Sequence, residues 1–168
     1  MSSWKLPSNS GWNFTSWILR ERVRIGRKNY LLVEVVFTGK YWDRVKRAQK
    51  KFGPSDRAKE FSLILPQVLL AESQLKNVHS KLLRWLKTPI DRFASVSLRL
   101  EEELAGLDSQ RFAMTFGDRD DLIIDIGHVA CTISYSAKSL SGEISYVVDQ
   151  SCIQTFVDGL TDHFKREA

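Results

Sequence analysis

Between Ser95 and Val148 apolar residues fall at every second position in five successive short runs, and no other feature of the chain restricts its fold as strongly. Val96, Leu98 and Leu100 form the first run, and Phe112, Met114 and Phe116 the second. Leu122, Ile124 and Ile126 follow, then Val129, Cys131, Ile133 and Tyr135, then Ile144, Tyr146 and Val148. Side chains alternate between the two faces of a strand, so this period places one face in a core and leaves the other wetter. The links carry turn chemistry: Gly106 with Asp108, Gly117 with Asp118, Gly127 with His128, and the stretch from Ser139 to Gly142. Short links of that kind favour an antiparallel meander.

The same signal appears upstream. Trp17 to Ile25 and Tyr30 to Phe37, rich in β-branched and aromatic residues, flank Gly26 to Asn29 and predict a hairpin. Phe61, Leu63 and Leu65 alternate up to Pro66, after which the apolar parity moves to Val68 and Leu70. Proline has no N–H to give a ladder, so an edge position or a bulge is expected there.

Two segments carry the helical period instead. From about Ser73 to Lys87, Leu75, Val78, Leu82 and Leu86 share a face opposite Lys76, Ser80 and Arg84, and Pro89 helps to end the helix. From about Ser151 to Arg166, Ile153, Phe156, Val157, Leu160 and Phe164 form a stripe, with Asp149 or Ser151 as the N-cap. A third helix is expected over Tyr41 to Phe52, turning Trp42, Val45, Ala48 and Phe52 to one side and stopping at Gly53-Pro54. The predicted class is therefore α+β: a mainly antiparallel meander of about 5–7 strands packed with two or three amphipathic helices.

With 168 residues, 43% of them hydrophobic, the chain suits one domain that buries roughly 70% of its unfolded surface. Residues 1–15 read as a polar, tryptophan-bearing N-terminal arm and 40–59 as a basic excursion from the main body. Met1 to Phe14 lacks a basic stretch followed by an apolar one, and no run is long and apolar enough to span a bilayer. A cytoplasmic location, no membrane partner and two reduced thiols, Cys131 and Cys152, are the resulting expectations.

No constellation of residues signals catalysis. GxSxG and SxxK nucleophile settings, a P-loop and a dinucleotide glycine fingerprint are all missing, so no enzyme activity, catalytic residue or cofactor is expected. His79, His128 and His163 lack zinc-ligand spacing, and the carboxylates Asp118, Asp120, Asp121 and Asp125 fall short of an EF-hand pattern, so no metal site is expected. A first-turn thiol such as Cys152 can be acidified, but the chain offers it no base and packing is the preferred role.

Charge is distributed unevenly. Residues 1–60 hold 14 Lys and Arg against 5 Asp and Glu, whereas residues 61–168 hold 11 against 15. Arg44, Lys46, Arg47, Lys50 and Lys51 concentrate the positive charge, with Tyr41, Trp42 and Phe52 between and beside them. Such a cluster can neutralise phosphates while its aromatics stack on unpaired bases, or it can form a solvated face that meets an acidic protein. Asp118, Asp120 and Asp121 are the corresponding candidates for a basic partner.

The order of a strand row from Phe61 to Leu70, a helix carrying Leu82, Leu83, Trp85 and Leu86, a strand meander and a closing helix resembles small bacterial immunity proteins encoded beside polymorphic toxins, of the cell-wall-associated toxin immunity type. The resemblance covers the organisation of about residues 61–160. It implies a non-enzymatic inhibitor that occludes a toxin domain. The chemistry thus leaves two expectations: a protein-binding module, in its specific form an immunity protein, and a nucleic-acid-binding protein using segment 40–59.

Overall fold

The computed structural model describes residues 2–54, 56–87, 96–102, 110–117, 128–137 and 140–166, with the backbone alone for 96–102. Eight strands and three helices lie in these residues. β1 (Ser3–Pro7), β2 (Phe14–Ile25), β3 (Lys28–Tyr41) and β4 (Lys59–Ala71) form one antiparallel sheet in that order, here sheet A. β5 (Val96–Glu102), β6 (Gln110–Gly117), β7 (His128–Ser136) and β8 (Ser141–Asp149) form a second antiparallel meander, sheet B. A short helix, α1 (Arg44–Gln49), interrupts the β3–β4 connection; α2 (Glu72–Lys87) follows sheet A, and α3 (Gln150–Arg166) follows sheet B.

The α+β class is as the alternation implies, and the strands are divided between two sheets. The chain therefore runs the order of four strands and a helix twice. The two halves also exchange helices: α3 lies along β1 of sheet A, while α2 reaches β5 of sheet B and packs beside α3. Each half completes the core of the other.

Trp17 stands at the centre of that core. It is fully buried, and its ring meets Phe112 of β6 edge-on at 5.8 Å and Phe156 of α3 at 6.0 Å. A directed chain of hydrogen bonds crosses the seam between the sheets. Trp17 Nε1 donates to Thr15 Oγ1 at 3.0 Å, the Thr15 hydroxyl donates to Tyr146 Oη at 2.9 Å, and Tyr146 donates to the carbonyl of Leu6 at 2.9 Å. The polar atoms that burial would otherwise penalise are thus paired with one another.

The helices follow their apolar stripes. Leu75, Val78, Leu82 and Trp85 of α2 are buried, as are Ile153, Phe156, Val157 and Leu160 of α3, with Leu86 and Phe164 packed at the margin of the core. The Asp149 carboxylate caps α3 by accepting from the Cys152 backbone N–H at 3.0 Å and from the Ser151 hydroxyl at 2.6 Å, which holds its pKa down at about 2. Gly159 lets α3 approach β1, because a Cβ there would stand 2.6 Å from Cβ of Trp4. His79 joins the two helices. Since the Thr161 hydroxyl donates to the Val157 carbonyl, His79 Nε2 is the donor in its 2.8 Å contact with Thr161.

Two expectations need correction. Residues 3–7 are an edge strand of sheet A, with Trp4 and Leu6 buried, so the polar sequence around them conceals a strand. The third helix spans only Arg44–Gln49 and buries none of its residues. Asp43 caps its start, and Lys50 ends it in the left-handed conformation, φ 53°, before Gly53-Pro54 is reached. Val45 and Phe52, expected on a packed side, are exposed. The strand expected at Leu122 to Ile126 lies outside the described residues.

Candidate protein-docking face at the β3–β4 tip

The parity change at Pro66 is a bulge. Val33 pairs with Val68 and Val35 with Leu65, so Pro66 and Gln67 lie opposite Glu34 alone, on the edge strand of the sheet. Beyond the bulge, on the side toward α2, Val68 and Leu70 are completely buried. On the other side the strand leaves the core: Phe61 is 41% exposed, Leu63 50% and Ile64 54%.

Strand length accounts for this contrast. β3 has 14 residues and β7 has nine, which at 3.3 Å per residue is about 45 Å against about 30 Å. Sheet A therefore outruns the layer that covers it, and the outer part of β4, residues 59–64, is exposed on both faces, as are Lys40 and Tyr41 at the end of β3. A row of rings runs along this projection. Phe37, packed on Tyr146 at 6.0 Å, meets Phe61 at 5.8 Å, and Phe61 meets the exposed Tyr41 at 5.9 Å. Gly39, paired with Phe61 across the ladder, makes the row possible, since a Cβ there would come within 2.7 Å of the Phe61 ring.

The connection beyond the tip supplies charge. Between residues 40 and 60 stand eight cations and three carboxylates. Lys46 pairs with Asp56 at 3.0 Å, and Lys40 approaches Glu60 at 4.0 Å. Asp56 also accepts from the Gly53 N–H, which together with Lys46 holds its carboxyl below the usual range, and the Asp56 carboxylate in turn raises the Lys46 ammonium. Arg44, Arg47, Lys50 and Lys51 are exposed, and no ion pair joins them to a described carboxylate. Trp42 packs between Trp12, at 6.0 Å, and Phe52, at 5.4 Å, and with Arg47, Phe52 and Asp56 lines a shallow hollow of about 360 Å³.

No protein-family model, curated protein or solved structure matches this chain.

Of the residues singled out in the sequence, the structure brings Arg44, Lys46, Arg47, Lys50 and Lys51 together around α1. Asp118, Asp120 and Asp121 lie outside the described residues. Phe61, Leu63 and Ile64 were missed, because alternation alone reads as a covered strand; the one available signal was a β4 run longer than the strands expected to cover it. The thiols are structural. Cys131 and Cys152 are both buried and unbridged, and burial raises the pKa of each.

Proposed function

We infer that this protein is a binding module whose docking face is the projecting tip of β3 and β4, and that its partner is a protein with an acidic surface. The observation that carries this reading is the exposed apolar group of Phe61, Leu63 and Ile64 on the same hairpin tip as Arg44, Arg47, Lys50 and Lys51, which no described carboxylate pairs. Exposed aliphatic and aromatic side chains with a charged rim match the anatomy of protein interfaces, in which apolar anchors supply affinity and the rim supplies steering and selectivity. An immunity protein that occludes a toxin domain is the specific form of this reading, and it rests on the resemblance in organisation alone. Recovery of partners from the native cell extract tests the reading. A specific protein retained by the parent and lost with Leu63→Ser/Ile64→Ser supports it; no specific protein under several salt conditions, or equal recovery by the variant, contradicts it.

A second reading, nucleic-acid binding through 40–59, is favoured by the Trp12, Trp42 and Phe52 rings beside Arg47. Phosphate contacts release counterions, so duplex DNA affinity would fall with salt at a logarithmic slope of about 0.9 per neutralised phosphate. Gel-shift titration of the parent and of a variant with Arg44, Lys46, Arg47, Lys50 and Lys51 changed to Gln separates the two readings. Salt-sensitive binding lost in the variant supports this second one, and absence of binding removes it.

A further inference from the structure

We propose that the outer edge of β4, from Lys59 to Leu65, receives an extended acidic segment of the partner protein as a fifth strand of sheet A. This deepens the docking reading above and depends on it, since it specifies how the partner is held at the same tip.

Among the described residues the edge is open from Lys59 to Leu65. β4 is the last strand of sheet A, and no described residue forms a backbone ladder with it on the side away from β3. An unpaired strand edge presents alternating N–H and C=O groups that another extended chain can satisfy. The C-terminal part of this same edge already accepts such a stand-in. Gln110 Nε2 donates to the Leu69 carbonyl at 2.9 Å, and the Leu69 N–H points to Gln110 Oε1 at 3.4 Å. One side-chain amide thus supplies the donor and acceptor that a neighbouring strand residue would offer, and the Pro66 bulge separates that closed part from the open one.

Charge selects the occupant. A second copy of the chain would bring another segment 40–60, eight cations against three carboxylates, to the same edge, a net like-charge juxtaposition that disfavours pairing with itself. A strand carrying carboxylates gains from Lys59 on the edge and from the net positive charge of segment 40–60, eight cations against three carboxylates. Its apolar side chains would lie against Phe61 and Leu63 on one face of the sheet and Ile64 on the other.

The test uses the full chain and a synthetic peptide alternating Glu or Asp with Val or Ile, titrated by fluorescence anisotropy. A matched peptide with N-methylated backbone amides at alternate positions keeps the charge and the side chains but removes the edge donors. Strand addition predicts that the unmodified peptide binds and that N-methylation weakens it by about tenfold or more. Lys59→Gln should weaken it further at low salt than at high salt, and Leu63→Ser/Ile64→Ser should weaken it at both. Equal binding of the two peptides would overturn strand addition while leaving the docking face in place, and absence of binding by both would overturn the acidic-strand occupant, whereas loss of the docking face itself is decided by the partner-recovery experiment. A dimer of the protein alone, seen by sedimentation and abolished by Leu63→Ser/Ile64→Ser, would also overturn the proposal, as would oligothymidylate binding more tightly than the peptide and displacing it.

Discussion

The two halves of the molecule follow one plan and differ in one connection. β1 to β4 with α2 and β5 to β8 with α3 have the same order, and each helix packs on the first strand of the opposite sheet. The third and fourth strands of sheet B are joined across Ala137 to Leu140, whereas those of sheet A are joined by residues 42–58, which include α1. β3 and β4 are also longer, at 14 and 13 residues, than β7 and β8, at nine each. The common plan accounts for the core. What the first half adds, a projecting hairpin tip with exposed rings and cations that no described carboxylate pairs, touches that core only where Phe61 packs on Phe37, and it is where a partner can be met.

This division sets an order of expected effects. Phe156→Ala, at the contact between α3 and Trp17, should cost about 3–5 kcal/mol in denaturant unfolding. Tyr146→Phe removes the hydroxyl that links Thr15 Oγ1 to the Leu6 carbonyl and leaves the buried Thr15 hydroxyl without its acceptor at the seam between the sheets, which should cost about 1–3 kcal/mol. Asp149→Ala removes the α3 cap and should cost about 0.5–2 kcal/mol at neutral pH. The carboxyl of Asp149 is depressed in the folded state, so its contribution is complete above the unfolded value of about 4 and disappears as pH falls toward about 2; the difference between parent and variant should close over that window. At the tip the same kind of change should be nearly silent. Leu63→Ser/Ile64→Ser should alter stability by no more than about 0.5 kcal/mol, despite removing two large apolar side chains. A loss of several kcal/mol there would mean the tip belongs to the core after all.

The packed regions were legible in the sequence because burial imposes a period. Phe112, Met114 and Phe116, then Cys131, Ile133 and Tyr135, alternate in sequence and are buried in the structure. Ile153, Phe156, Val157 and Leu160 announce α3 in the same way, and Pro66 announces its bulge through the missing N–H. The tip was not legible for the converse reason. Phe61, Leu63 and Leu65 alternate like core residues, and only the length of the covering layer, a property of the other sheet, decides that Phe61 and Leu63 are exposed. β1 was hidden because Ser3, Lys5 and Pro7 outnumber the two residues, Trp4 and Leu6, that it buries. The division between two sheets depends on where α2 turns the chain, which no local period encodes.

Residue-resolved amide hydrogen exchange along β4 reads the openness of its outer edge. The Leu69 amide faces Gln110, and the ladder with β3 protects the amides that point inward. The account predicts strong protection through Val68 to Ala71, with rapid exchange of the amides between Lys59 and Leu65 that face away from β3. Protection of those outward amides equal to that of β3 would show the edge already closed within the molecule, and would contradict both the open tip and the strand proposed to fill it.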